Sequence, residues 1–199
     1  VAVASTPPTT TRQARITVME PETHTPKSVT QTPLAPTAAI TYHVTPTGAG
    51  ACTTWADACD LQTALAAATW GDEVWVAEGA YTPTAGLTRT IAFTLNSGVA
   101  LYGGFAGGES ERPARDPAAH PTTLSGDIGV SGVITDNAYH VVHVTAGVTE
   151  ATVLDGFTIT GGNASDWKYG GGVYSAGGSP TLRNLVIESN VAEMDGGGM

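Results

Sequence analysis

The chain has 199 residues and a formal net charge of −10, with eight Lys and Arg against eighteen Asp and Glu. That balance excludes a basic stripe for neutralising nucleic-acid phosphates and attraction to anionic lipid, and no apolar run reaches the ~18 residues a membrane helix needs. Charged residues make up only 13% while Gly numbers 25, so long charged helix surfaces are scarce and short strands joined by tight turns are favoured.

The chain opens on Val1-Ala2-Val3-Ala4-Ser5. Ala2-Val3-Ala4 fits the small-residue cleavage site at the end of a signal peptide; an arbitrary fragment boundary fits as well. Residues 1–39 are rich in Thr, Pro, Ala and Ser and show no packing period. Pro lacks a backbone donor and Thr prefers extended backbone, so this stretch reads as a disordered linker or stalk. Within it only "RITVME" has the look of a short strand.

Order is predicted from "ITYHVTPTG", where Ile40, Tyr42 and Val44 alternate with Thr41 and His43 as in a half-buried strand. Asp60 is placed to N-cap a helix over "LQTALAAAT", with Leu61, Leu65 and Ala68 on one face and Gly71 as its stop. "EVWVAEG" then reads as a strand with Val74 and Val76 on one face. Cys52 and Cys59 are the only cysteines and lie seven positions apart. In a chain with an exported character they predict a disulfide, worth roughly 2–3 kcal/mol for so short a loop. Two free thiols are the alternative, and a zinc site would lack half its ligands.

From Ile91 onward, short strand patterns alternate with Gly, and the tail repeats itself. Setting Leu154 on Leu182 places Phe157 on Leu185, Ile159 on Ile187 and Ala164 on Ala192 at a spacing of 28. "GGGV" at Gly170 recurs as "GGGM" at Gly196, at a spacing of 26. Apolar positions match and polar ones vary, as a stacked core requires. A unit of this length cannot bury its own apolar face, so neighbours must stack. The units carry no amphipathic helix pair and show three short strands, around Val173, Leu182 and Ile187. The expectation is all-β: a right-handed parallel β-helix over residues 40–199, with the early helix covering its N-terminal end and Gly and Asn at its corners. Met199 falls just as another unit begins, so the segment reads as the N-terminal part of a longer solenoid, truncated at its C-terminal end.

The combination "GDEVWVAEGAYTPT", "GVALYGGFAGGESERPARDP", "TTLSGDI", "AYHVV", "VLDGFTITGGNA" and "GGGVYS…GSPTLRNLVIESN" resembles the pectin-lyase-like right-handed β-helix proteins of bacterial cell surfaces, with polymorphic-outer-membrane-protein-like repeats. The resemblance covers about residues 40 to 199. It implies a secreted or surface-displayed protein, extracellular, with a polysaccharide or cell-surface glycan as partner.

Chemistry is sparser. Calcium takes six to eight oxygens, and calcium-using β-helix lyases cluster carboxylates on adjacent turns. Here Asp127, Asp155, Asp166, Glu188 and Asp195 are scattered and read as solvated turn carboxylates, so no metal or other cofactor is expected and no catalytic residue is assigned. His140 and His143, three apart on a strand, are expected to face opposite sides. Arg112 and Arg115 are expected to pair with the acids of their own loop, Glu109, Glu111 and Asp116. The better candidates are aromatic: Trp167 and Tyr169 in a protruding loop, and Tyr174 pointing outward beside Val173, placed to stack on sugar rings. The expected function is a non-catalytic adhesin, structural or glycan-binding domain. Its competitor is a polysaccharide lyase or glycoside hydrolase whose catalytic turns lie beyond Met199.

Overall fold

A computed structural model describes residues 38–166 and 168–199, together with the backbone of residues 17–18 and 27–28. The chain divides into two units, Val1–Ala38 and Ala39–Met199. In the first, strands β1 (Thr17–Val18) and β2 (Lys27–Ser28) pair antiparallel. Of the expected disordered stretch 1–39, Ala38 and Ala39 are exposed and outside any strand or helix, and the rest otherwise lies outside the described residues.

The second unit is rich in strands and contains one α-helix. It begins with β3 (Thr41–Val44), a 3₁₀ turn at Trp55–Asp57, helix α1 (Leu61–Ala67), β4 (Glu73–Ala77), β5 (Gly79–Tyr81), β6 (Phe93–Leu95) and β7 (Ala100–Phe105). It continues through β8 (Thr122–Ser125), β9 (Val142–Val144), β10 (Val153–Asp155), β11 (Thr158–Thr160), β12 (Asn163–Ala164) and β13 (Val173–Ser175), and ends in β14 (Thr181–Arg183), β15 (Val186–Ile187) and β16 (Val191–Ala192). All pairing in this unit is parallel. The sheets run β3-β4-β7-β10-β14, β5-β8-β11-β15, β6-β9-β13 and β12-β16. From β4 onward the chain visits the three larger sheets in rotation, and each new strand joins the edge left by the preceding pass.

Register shows why these residues form strands. Tyr42, Val74, Leu101, Leu154 and Leu182 occupy one row across the five-stranded sheet. Tyr81, Leu124, Ile159 and Ile187 form a second row in the next sheet. Phe93, Val142 and Val173 form a third. Val74, Leu101, Leu124, Val142, Leu154 and Ile159 are wholly buried. Each such side chain contributes roughly 1.5–3 kcal/mol of apolar burial, and β-branched and aliphatic residues suit a strand packed this way. Ile40 departs from the expected alternation: it is 46% exposed and precedes β3. Its amide donates to the Asp72 carboxylate, and its carbonyl accepts from Glu73.

Helix α1 is capped as its sequence requires, with the Asp60 carboxylate accepting from Thr63 N at 3.0 Å. Leu61, Ala64 and Leu65 are buried in the core, and α1 packs against β3, β4 and β6. At its other end Asn96 Nδ2 donates to the Leu65 and Ala68 carbonyls, satisfying groups a helix leaves orphaned. A disulfide joins Cys52 to Cys59, and both are buried beside β3, where His43 N donates to Cys52 O and Cys59 N donates to His43 O.

The Gly triplets serve two purposes. Gly170 and Gly196 have φ of +65° and +73°, the left-handed region glycine tolerates. Gly171 and Gly172 do not; a Cβ on either would run into a neighbouring carbonyl, Val191 O or Gly198 O. The two triplets bond each other directly, through Gly171 N to Gly196 O, Gly172 N to Gly197 O and Val173 N to Gly198 O. Close backbone approach, as much as corner geometry, therefore selects glycine here. Among the described residues no helix is long and apolar enough to cross a membrane.

Candidate functional site

The outer face of the β6-β9-β13 sheet carries Thr94, His143 and Tyr174 in register. They alternate with buried Phe93, Leu95, Val142, Val144 and Val173, so the pleat itself turns these polar side chains outward. The His143 ring lies 5.5 Å from the Tyr174 ring at 26°. The His140 ring stacks on the same tyrosine at 4.7 Å and 21°.

The two histidines therefore converge rather than face opposite sides. β9 begins at Val142, so His140 lies in the segment before the strand, where strict alternation does not hold. His140 Nδ1 sits 2.9 Å from Gly170 O, and since a carbonyl only accepts, Nδ1 carries the proton. Burial pushes the His140 pKa below its usual value, opposed by the bond to Gly170 and reinforced by His143 and Lys168.

Beside this stack, Tyr139 is clamped between charges. The Arg89 guanidinium lies 4.2 Å from its ring centroid and Lys168 Nζ 4.3 Å from it. Its hydroxyl donates to Asp166 at 2.6 Å, which raises the phenol pKa. Arg89 ties three segments together, donating to Asn137 O, Asn163 O and Ser165 Oγ. It thus anchors the loop that carries Tyr169, which is 49% exposed. Of the three aromatic candidates, Tyr169 is the freely presented ring and Tyr174 is half-buried against imidazoles, while Trp167 lies outside the described residues. Arg89, Tyr139 and His140 join this patch through contacts distant in sequence. Arg89 meets its partners 48, 74 and 76 positions along the chain, and no local pattern marks such contacts.

Two further expectations need correction. Asp155 is not a solvated turn carboxylate: it is 5% exposed, 2.9 Å from Arg115 Nη2, and accepts from Asn184 Nδ2 at 2.8 Å. Nor do Arg112 and Arg115 pair with acids of their own loop. Arg112 bonds Glu73 at 2.6 Å and Arg115 bonds Asp155, because the 106–121 excursion folds back over the five-stranded sheet. The outward row His43, Trp75, Tyr102, Asp155 and Arg183 explains that return. Trp75 stacks on Phe105 at 4.8 Å, and Trp55 donates to Glu109 O at 2.8 Å, so the excursion shelters an aromatic face that would otherwise meet water. Asp127 lies in the irregular segment after β8 and accepts from Ser131 and Gly132, and Asp166 sits in a turn and accepts from Tyr139. Among the described residues no group of three or more His, Cys, Asp or Glu is placed to hold a metal ion.

No family model matches the chain, and no curated protein or solved structure matches it.

A pH dependence follows from the histidines. Burial lowers the pKa of His43 as well as His140. A histidine with a depressed folded pKa contributes stability that is complete above the unfolded value of about 6.5 and is lost as pH falls through that value towards the folded one. The thermal midpoint is therefore expected to drop between pH 7.5 and 5.5, and to drop less in His140→Gln; calorimetry at the two pH values measures both.

Proposed function

We propose that residues 40–199 form a right-handed parallel β-helix of a secreted or cell-surface protein, akin to the pectin-lyase-like surface proteins, and that it binds a polysaccharide or cell-surface glycan without acting on it. The rotation of the chain through three parallel sheets and the row-on-row register of Leu154 with Leu182 and Ile159 with Ile187 support the solenoid. The Cys52–Cys59 disulfide fits an oxidising compartment.

The observation that carries the binding role is the ring cluster on the outer β6-β9-β13 face, Tyr174 stacked with His140 and His143; exposed Tyr169 immediately precedes Gly170, whose carbonyl accepts from His140 Nδ1. Tyrosine combines a flat apolar ring with a polar tip, which suits a sugar's apolar face and its hydroxyls. Arg89, Tyr139 and Asp166 hold the neighbouring loop in place, so little ordering entropy is lost on contact.

Affinity electrophoresis through gels containing neutral or acidic polysaccharides tests this reading. At least one polysaccharide is expected to retard the protein, and Tyr169→Ala with Tyr174→Ala together are expected to weaken that retention about tenfold. Unretarded migration in every gel, or unchanged retardation of a folded double variant, overturns it. Release of unsaturated products from pectin, alginate or chondroitin would make the protein a lyase instead.

A further inference from the structure

On a different sheet, over the outer side of β7, β10 and β14, a cleft of about 540 Å³ opens between the 106–121 excursion and the turn after β14. Its walls include Arg112, Arg115, Asp116 and Asn184, with the rings of Pro113 and Pro117. The volume falls within the roughly 300–1,000 Å³ of small-molecule sites. What the cleft would take depends on which polar groups remain unspent.

The acceptors around it are largely occupied. Asp155 is held by Arg115 and Asn184. The Asp116 carboxylate accepts from the amides of Ala118 and Ala119. Glu73 accepts from Arg112 and from Trp75 Nε1, and Glu109 from the amides of Ala106, Gly107 and Gly108. Glu111 is exposed and does not line the cleft.

The donors are not occupied to the same degree. Arg112, whose side chain is 45% exposed, donates only from Nη1, to Glu73 and Tyr102, leaving Nε and Nη2 without a partner among the described residues. A guanidinium has five N–H donors in a fork that matches an oxyanion. Arg183 pairs in register with Asp155, precedes Asn184 and makes no ion pair among the described residues. Arg112, Arg115 and Arg183 are three of the five Lys and Arg between residues 38 and 199. In a chain of net charge −10, Arg112 and Arg115 line this cleft and Arg183 is the chain neighbour of Asn184, which also lines it, while Asp155 is held by two partners and Asp116 Oδ1 by two amides.

We propose that this cleft binds a small oxyanion, a carboxylate or sulfate group carried on a ligand of sugar size. Charge-assisted bonds from Arg112 and Arg183 hold the oxyanion, and the Arg115–Asp155–Asn184 chain keeps the floor rigid. The site is independent of the Tyr174 face.

Titration of the protein with glucuronate, glucose 6-sulfate and glucose, followed by amide chemical shifts, tests the proposal. One or both anions are expected to shift the amides of Arg112, Ala114, Arg115, Asp116, Ala118 and Asn184 at millimolar concentration, with glucose inactive; whichever anion acts identifies the group. Arg112→Gln is expected to weaken the response about tenfold, the loss of one charge-assisted bond, while Tyr174→Ala leaves it unchanged. Arg183→Gln, which breaks no ion pair, is expected to weaken it also and carries the test if Arg112→Gln does not fold. Equal shifts with glucose, silence towards both anions, or unchanged affinity in the folded Arg variants overturns the proposal without bearing on the Tyr174 face.

Discussion

Replacing Arg115 with alanine is expected to destabilise the protein by about 3 kcal/mol, the cost of leaving a buried carboxylate without its cation. Asp155 and Arg115 side chains are 7% and 14% exposed. Arg115 also donates to the Gly103 and Asp155 carbonyls at 2.8 and 3.1 Å, so its loss takes a donor from three acceptors, of which Asp155 Oδ1 keeps Asn184 Nδ2. Gly156 completes the fit: its φ is +86°, and a Cβ there would press on the Arg115 guanidinium. Arg112→Ala offers the contrast, because that pair is more exposed and is worth about 1 kcal/mol or less. Urea unfolding of the two variants should separate them clearly, and Asp155→Asn in the Arg115→Ala background should restore part of the loss. Equal stability of the two single variants would mean that Asp155 is not a buried charge.

Leu154→Ala should cost about 3 kcal/mol, in the range for a large-to-small change in a packed interior. Leu154 is wholly buried, between Leu101 on one neighbouring strand and Leu182 on the other. Collapse into the space left is resisted on the β7 side, where β7 is itself paired to β4, while β14 is the edge strand and pairs only with β10. Leu182→Ala is expected to cost about 1 kcal/mol, because Leu182 is only partly buried and the smaller buried area sets a smaller transfer term. Thermal or urea unfolding of the pair measures the gradient along one row. A Leu182 loss as large as that at Leu154 would show that the row is not packed as its exposure implies.

Much of the backbone pattern is legible in the amino-acid order alone. Asp60 before a short aliphatic run announced the cap and helix, since a cap is a local bond between neighbours three apart. The spacing of Leu154 to Leu182 and Ile159 to Ile187 announced the register, because stacked apolar positions must recur at the length of the repeating unit. The paired cysteines were legible because they are the only two in the chain and lie seven positions apart.

The candidate site was legible only in part. Tyr174 follows inward-facing Val173 by simple alternation, so its outward direction could be read from the strand. Its two imidazole neighbours could not, because His140 lies before its strand and reaches Tyr174 across more than thirty residues of sequence. Arg112 and Arg115 misled for a related reason. Acids within a few positions looked like their partners, yet Glu73 and Asp155 lie 39 and 40 positions away.

By itself, then, the amino-acid order determined the strand-rich class, the capped helix, the rows of stacked aliphatic residues and the net negative charge. These follow from local bonding, from periodicity and from summed charge, all of which are properties of a string. Only the tertiary structure decided where the long side chains close: Arg89 onto Tyr139, Arg115 onto Asp155, two histidines onto Tyr174. Those contacts depend on how far a loop returns over a sheet, and a loop's return is set by what it can cover. Here that is the aromatic row around Trp75 and Phe105, which exists only once the strands have paired.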